Sequence, residues 1–229
     1  MVAEVVDQQI ALGIDVVSDG EFGKSISWSQ YVLERLSGFE RRPIKAGANP
    51  FTRGVDREKF AEFYAELDAR EGVATTVEAI CTGPIAYTGQ AELQRDIDNF
   101  KAALKDVNVA EAFLPVAAPA SVIPDRKNEH YKSEEDLIRA IGAAMRTEYK
   151  MIIDAGFILQ LDDARAAVTF DRMVPPGSFA VSQTRHSCSW RGLAPSITKA
   201  PTFMQRMRST MSLSATSVVC GPGQLPQQT

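Results

Sequence analysis

The chain has 229 residues, of which 45% are hydrophobic and 24% charged, a balance typical of a globular protein with a sizeable core. Its formal net charge is −4, and every acidic residue lies at or before Asp171, so the body of the chain is acidic. This composition argues against a nucleic-acid partner, because phosphate binding requires clustered Lys and Arg.

Two further features narrow the class of protein. No apolar run approaches the ~20 residues that a membrane span needs, and the first residues lack the basic and apolar segments of a signal peptide. The cysteines Cys81, Cys188 and Cys220 are too few and too scattered for a disulfide framework. We therefore expect a cytoplasmic protein with no membrane partner.

The first part of the chain predicts three helices and one short strand. Residues 2–12 carry apolar side chains at helical spacing, and residues 14–18 form a β-branched run typical of a strand. Residues 28–38 predict a second helix closed by a glycine. Residues 40–57, rich in Arg, Pro, Gly and Asn, predict an excursion outside the core, and residues 58–70 predict a further helix.

The next part of the chain alternates strands with amphipathic helices. Strands are predicted over 74–80, 112–116 and 157–161, and helices over 90–105 and from Ser133 to about Ala155. The apolar faces of these two helices carry the predicted core residues Leu93, Ile97, Phe100, Leu104, Leu137, Ile141, Met145, Tyr149 and Ile152.

This alternation predicts an α/β fold, either a TIM (β/α)8-type barrel or an open doubly wound sheet. No Gly-x-Gly-x-x-Gly follows a strand, which counts against a dinucleotide-binding sheet. Four strands make a partial barrel, with about half of the strands present. We assign residues 1–179 to this catalytic-type domain. Residues 180–229 lack acidic residues and amphipathic periodicity, which predicts an irregular tail that is disordered or arises from a shifted reading frame.

Three motifs follow predicted strands in a recognisable order. They are GIDVVSDGE over residues 13–21 with YVLERLSGF over 31–39, CTGPI over 81–85 and LQLDD over 159–163. In this order and spacing they resemble the catalytic domain of vitamin B12-independent methionine synthase. The resemblance covers about Val2 to Phe179.

The resemblance implies a TIM barrel that moves a methyl group from methyltetrahydrofolate to the sulfur of homocysteine, the last step of methionine biosynthesis. It also implies a zinc ion that activates the thiol as a thiolate, because a free thiol titrates near ~8.5. Two alternatives stay open. One is a related zinc-dependent thiol alkyltransferase of the coenzyme M type, and the other is a non-catalytic barrel fragment.

The resemblance also assigns roles to individual residues. Glu21 takes the place of the acid that contacts the amino-acid substrate, and Asp162 takes the place of the catalytic-site acid that binds its ammonium group. Asp163 keeps the second acid of that motif, whereas Ala164 replaces the proline. Gly83-Pro84 matches the turn beside the methyl donor. From the residues alone, each acid could equally be a solvated turn residue, and Gly83-Pro84 a plain turn.

No metal ligand is assigned in this chain. The family's ligands, a His-x-Cys pair, a Glu and a later Cys, follow the Asp-Asp strand. His186 and Cys188 have the pair's spacing, but they come too soon after Asp162 and no glutamate follows them. We expect Cys81 to be an inert buried thiol and His130 a surface residue. Compared with the family, the first barrel strand and its substrate-binding Gly-Ser turn are also expected to be missing.

Overall fold

The structure is a computed structural model that describes residues 1–24, 28–44, 54–71, 77–122 and 126–163. The helices are α1 (Val2–Ala11), α2 (Trp28–Glu34), α3 (Val55–Lys59), α4 (Ala61–Glu71), α5 (Gln90–Ala103), α6 (Pro119–Val122) and α7 (Glu134–Asp154). The strands are β1 (Val16–Ser18), β2 (Phe39–Pro43), β3 (Val77–Cys81), β4 (Glu111–Ala117), β5 (Arg126–Asn128) and β6 (Ile158–Asp162). The tail predicted over 180–229 lies outside the described residues. No helix in the described ranges is long and apolar enough to cross a membrane.

Three of the four predicted strands form one parallel sheet, in the order β1-β4-β6. Val17 pairs with Ala112, and Ala117 pairs with Asp162, so β4 is the central strand and extends beyond the end of β1. Parallel neighbours require a crossover connection, and helices lie between these strands along the chain. The predicted α/β fold with parallel strands is therefore confirmed.

The strand predicted over 74–80 lies elsewhere. It forms β3 of a second sheet with the order β2-β3-β5, antiparallel to β2 and parallel to β5. The described residues thus form two three-stranded sheets and no closed barrel. The prediction that four successive strands continue one barrel is wrong for β3.

The sequence did not predict β2 and β5, because neither has the alternating pattern of a half-buried strand. β2 carries charged side chains where an apolar face would be expected, and β5 has only three residues. Their side chains form exposed ion pairs instead, between Arg42 and Glu129 at 3.0 Å and between Lys127 and Glu78 at 2.8 Å. Such pairs contribute little to stability, so backbone pairing with β3 holds these strands.

The core lies between one face of the β1-β4-β6 sheet and helices α1, α5 and α7. Leu159 and Leu161 of β6 are buried there, as are Phe100 of α5 and Ile152 of α7. The Phe100 ring stacks on that of Phe157 with 4.8 Å between the ring centroids. All five apolar side chains predicted for the longest helix are buried, which confirms the predicted face of α7.

The other face of this sheet is less covered. Along β6 the buried residues Leu159 and Leu161 alternate with the half-buried Ile158, Gln160 and Asp162. Successive side chains of a strand point to opposite faces, so Asp162 lies on the face away from the helix-covered core.

Candidate substrate-binding site

The C-terminal edge of the β1-β4-β6 sheet carries two of the predicted site residues. Because the three strands are parallel, their C-terminal ends lie at the same edge. β1 ends at Ser18 and leads directly into the turn that holds Glu21, whereas Asp162 is the last residue of β6. The two acids therefore flank the end of β4, the kind of position at which open α/β sheets and barrels bind ligands.

The turn after β1 is held by its own side chains. The Asp19 carboxylate accepts a hydrogen bond from the Glu21 amide at 3.0 Å, and the Ser18 hydroxyl accepts one from the Gly20 amide at 3.3 Å. Asp19 is only 4% exposed, and this burial raises its pKa. Gly20 and Glu21 both have positive φ, 69° and 60°. A non-glycine residue adopts this conformation only when its surroundings impose it, so Glu21 is held in place.

Lys24 is the central cation of the site. Its Nζ donates to Glu21 Oε2 at 3.1 Å and to the backbone carbonyl of Pro115 in β4. It also lies 5.5 Å from the ring centroid of Tyr31. Pairing between β1 and β4 stops at Phe113, and the Lys24 ammonium bonds to the carbonyl two residues further on. The Lys24 side chain is only 9% exposed, so its charge lies inside the protein rather than in solvent.

Asp162 shares the environment of Glu21 and Lys24. Burial raises the pKa of Asp162, a hydrogen bond at 2.9 Å from the Gln160 amide lowers it, and the charge of Lys24 lowers it further. The charge of Glu21 acts in the opposite direction and raises it. Since charges influence each other only over short distances in salt solution, Asp162 lies within electrostatic range of Lys24 and Glu21 at the edge where β1 and β6 end.

Asp163 faces a different neighbour. The hydroxyl of Ser121 in α6 lies 3.2 Å from both the Asp163 carboxylate and the Asp162 carbonyl, and these two acceptors share its one proton. The Ala118 amide donates to that carbonyl as well, at 2.9 Å. These bonds tie the end of β6 to α6, so the geometry of Asp163 supports a structural contribution beside its predicted substrate-binding role.

Gly83 lies at the end of β3 in the second sheet. The amides of Thr82 and Gly83 donate to the Gly38 carbonyl at 2.9 and 3.2 Å. A Cβ on Gly38 would lie 2.7 Å from the carbonyl oxygens of Gly83 and Pro84, so the two turns pack backbone to backbone. The structure thus brings Gly83-Pro84 against the loop after α2, while Glu21 and Asp162 lie together on the other sheet. The position of Gly83-Pro84 beside the methyl donor stays a prediction.

A buried polar network lies behind Lys24. Tyr31 of α2 donates its hydroxyl hydrogen bond to Glu148 of α7. Arg35 lies 3.4 Å from the same Glu148 oxygen and 2.6 Å from Asp96 of α5. Glu148 is fully buried, which raises its pKa, and the charge of Lys24 lowers it. This network joins α2, α5 and α7 and fixes the Tyr31 ring beside the Lys24 ammonium.

Known proteins match this chain in structure but not in sequence. No family model and no curated protein matches the sequence. A B12-independent methionine synthase from a Shewanella species, solved in complex with selenomethionine, is 21% identical and matches with a TM-score of 0.51. That match covers 81% of this chain and 46% of the other. A protein from Listeria monocytogenes, provisionally described as a vitamin B12-independent methionine synthase, is 20% identical with a TM-score of 0.56, covering 85% and 49%.

Over the matched residues, the chain shares the fold of these two solved structures. It spans about half the length of the two solved structures. The resemblance inferred from the motifs ending at Glu21, Ile85 and Asp163 is therefore confirmed at the level of the fold. The match to half of each solved structure agrees with the partial barrel expected from the sequence.

The zinc ion implied by the sequence resemblance has no binding site among the described residues. No group of three or more His, Cys, Asp and Glu residues in these ranges could hold a metal ion. His186, Cys188 and Cys220 lie outside the described residues. Cys81 is buried, its thiol donates to the Gly83 carbonyl at 3.4 Å, and burial raises its pKa, so it remains a protonated thiol at neutral pH. His130 is exposed, as expected.

Lys24 and Glu148 are the residues that the sequence analysis missed. Lys24 lies three positions after Glu21 in a segment without regular pattern, so only this spacing hinted at an ion pair. Glu148 lies seven positions after Ile141 and three after Met145, which places it on the apolar face of α7. An acid on that face is the signal that could have revealed the buried network.

Proposed function

We propose that this chain belongs to an S-methyltransferase of the methionine synthase type, which transfers a methyl group from a methyltetrahydrofolate-like donor to a homocysteine-like thiol. One observation carries the proposal: Glu21 and Asp162 follow two parallel strand ends on either side of β4, and Glu21 is paired there with Lys24. The solved Shewanella relative supports it, because selenomethionine, which it contains, is an amino acid with a methylated chalcogen.

The two acids are suited to bind the ammonium group of an amino acid. Burying a cation without a partner costs several kcal/mol, so such a ligand requires carboxylates at its binding site. Glu21 is 42% exposed and can reach an incoming ligand, and one Asp162 oxygen is oriented by Gln160. Holding the ammonium at a fixed point positions the rest of the ligand, including its sulfur, and such positioning accounts for a large share of many enzymatic rates.

A zinc ion, when bound, would supply the thiolate in the implied reaction. Because the described residues form no zinc site, we derive no step through the metal. The residues of this chain contribute binding and orientation of the amino-acid end of the ligand.

Calorimetric titration of the full chain with L-methionine tests the proposal. We expect Glu21→Gln and Asp162→Asn each to weaken methionine binding at least about tenfold, because each removes one of the two carboxylates proposed to hold the ligand ammonium. Glu4→Gln is the matched control, since Glu4 is an exposed acid on α1. Wild-type protein that does not bind methionine, or variants that bind it as well as the wild type, would contradict the proposal. Methyl transfer from methyltetrahydrofolate to homocysteine is the activity to assay in parallel.

A second candidate is a non-catalytic barrel fragment. It is favoured by the half-length match and by the two separate three-stranded sheets of the described residues. Methionine binding without methyl transfer, at zinc concentrations that saturate thiolate sites, would favour this candidate. Turnover that depends on Asp162 would favour the enzyme.

A further inference from the structure

We propose that Lys24 determines ligand specificity at this site: its ammonium binds the anionic group of a ligand whose cationic group is held by Glu21 and Asp162. The inference rests on the proposed function and deepens it. It restricts the ligand to a molecule that carries both charges on neighbouring atoms, as an α-amino acid does.

The contacts of Lys24 leave its ammonium able to bind an anionic group. A lysine ammonium has three N–H donors. Among the described residues, its hydrogen-bond partners are the Glu21 carboxylate and the Pro115 carbonyl, and it also lies near the Tyr31 ring face. A ligand carboxylate can take the third donor. Glu21, for its part, uses one carboxylate oxygen for Lys24, which leaves the other for a ligand ammonium.

The charges of the site favour a zwitterion. Among the described residues, Asp19, Glu21 and Asp162 contribute three acids, and Lys24 is a cation that interacts with each of them. A ligand with only an anionic group would meet more acids than cations. A ligand with only a cation would compete with Lys24 for Glu21. A zwitterion matches both signs, because the Lys24 ammonium and the Glu21 carboxylate lie 3.1 Å apart.

The burial of Lys24 strengthens the preference for a zwitterionic ligand. The side chain is 9% exposed, so a ligand carboxylate that reaches it leaves water. Ion pairs are stronger in such surroundings than at the surface. Tyr31, fixed by its hydrogen bond to Glu148, limits the movement of the ammonium on one side.

A pair of ligands separates binding of the carboxylate from mere support of Glu21. The full chain is titrated by calorimetry with L-methionine and with methylthiopropylamine, its analogue without the carboxylate. We expect the wild type to prefer methionine at least about tenfold. We expect Lys24→Met to weaken methionine binding about tenfold or more and to change amine binding less than about twofold. Lys101→Met, on the exposed surface of α5, is the matched control and should leave both affinities unchanged.

Three outcomes overturn the inference. The first is a wild type that binds the amine as tightly as methionine, a result that needs no variant to fold. The second is an equal loss of both ligands in Lys24→Met, which would make Lys24 only a support for Glu21. The third is a Lys24→Gln variant that keeps the wild-type preference.

Failure of this inference can be told from failure of the proposed function. If the lysine variants lose the preference for methionine and the wild type shows no methyl transfer, the inference about Lys24 is supported and the proposed activity is contradicted. If Lys24→Met transfers the methyl group with an unchanged KM for homocysteine, the proposed activity is supported and the inference about Lys24 is contradicted. A wild type that does not bind methionine removes both.

Discussion

At the scale of single residues, Gly20 is required by the turn that brings Glu21 to the sheet edge. A Cβ at this position would lie 2.9 Å from Val5 Cγ1 of α1 and 3.0 Å from the Phe22 ring, and φ is 69°. Both the backbone conformation and the packing therefore exclude a side chain. The glycine allows the strand end to pass close under α1, and the position of Glu21 depends on that passage.

We expect Gly20→Ala to lower the free energy of unfolding by about 2–3 kcal/mol, from left-handed strain and overpacking together. Gly13→Ala is the control, because Gly13 has φ 78° but no heavy atom within 4 Å of an added Cβ. Gly13→Ala should lower the free energy of unfolding by only about 1 kcal/mol, from backbone strain alone. Urea unfolding followed by circular dichroism measures both values. Equal losses in the two variants would show that packing around Gly20 is unimportant.

The acids of the site could be predicted, whereas their partner could not. Glu21 and Asp162 each follow a recognisable strand, and the parallel arrangement brings strand ends together. The approach of Lys24 depends on where the loop after Glu21 runs and on the carbonyl of Pro115, which lies 91 residues further along the chain. No local pattern encodes a contact of that kind.

At the scale of secondary-structure elements, α7 shows how completely a strong local pattern can determine an element. Its predicted start at Ser133 is confirmed by a hydrogen bond of 3.1 Å from the Asp136 amide to the Ser133 hydroxyl. Three acids in the first turn stabilise this end through the helix dipole. The predicted core face is buried over the whole length of the helix.

Loss of this cap should be measurable. We expect Ser133→Ala to lower the free energy of unfolding by about 1 kcal/mol, because the Asp136 amide loses its acceptor. Ser133→Asp keeps an acceptor at the N-cap and should stay within about 0.5 kcal/mol of the wild type. Urea unfolding monitored by circular dichroism is the measurement. A Ser133→Asp variant as unstable as Ser133→Ala would contradict the capping explanation.

The elements that escaped prediction have weak patterns. β2 and β5 are short and charged, and their pairing with β3 depends on backbone hydrogen bonds that any sequence can form. The segment predicted as one helix over 58–70 is divided into α3 and α4 at Phe60, whose φ of −116° and ψ of 41° are not helical. β3 was predicted as the next strand of a barrel because its apolar run indicates a buried strand. Such a run does not indicate to which sheet the strand belongs.

At the scale of the whole molecule, the network around Glu148 couples stability to pH. Burial holds the pKa of Glu148 above its ordinary value in the folded chain. Folding therefore favours the protonated acid. Its contribution to stability is fully present below the ordinary glutamate pKa, and is lost as pH rises through the raised value. Asp19 and Asp162 act in the same direction, since burial raises their pKa values as well.

We expect Glu148→Gln to flatten the decline in unfolding free energy as pH rises above the ordinary glutamate pKa, because the amide cannot ionise. Glu148→Ala should instead cost about 1–3 kcal/mol, since it leaves the buried Tyr31 hydroxyl without its acceptor, whereas Arg35 keeps Asp96 as a partner. Denaturant titrations over this pH range give both quantities. A Glu148→Gln variant with the wild-type pH profile would show that Glu148 ionises freely in the folded protein.

The central position of β4 has a consequence for how the chain folds. Val17 must find Ala112, and Leu159 must find Leu114, so both outer strands depend on β4, which lies far from each of them along the chain. Long-range parallel pairing of this kind is slow, because the loop entropy is lost before the contacts form. We therefore expect Glu21 and Asp162 to come together only after β4 has paired on both sides. β4 contributes neither acid, but its two edges align both of them.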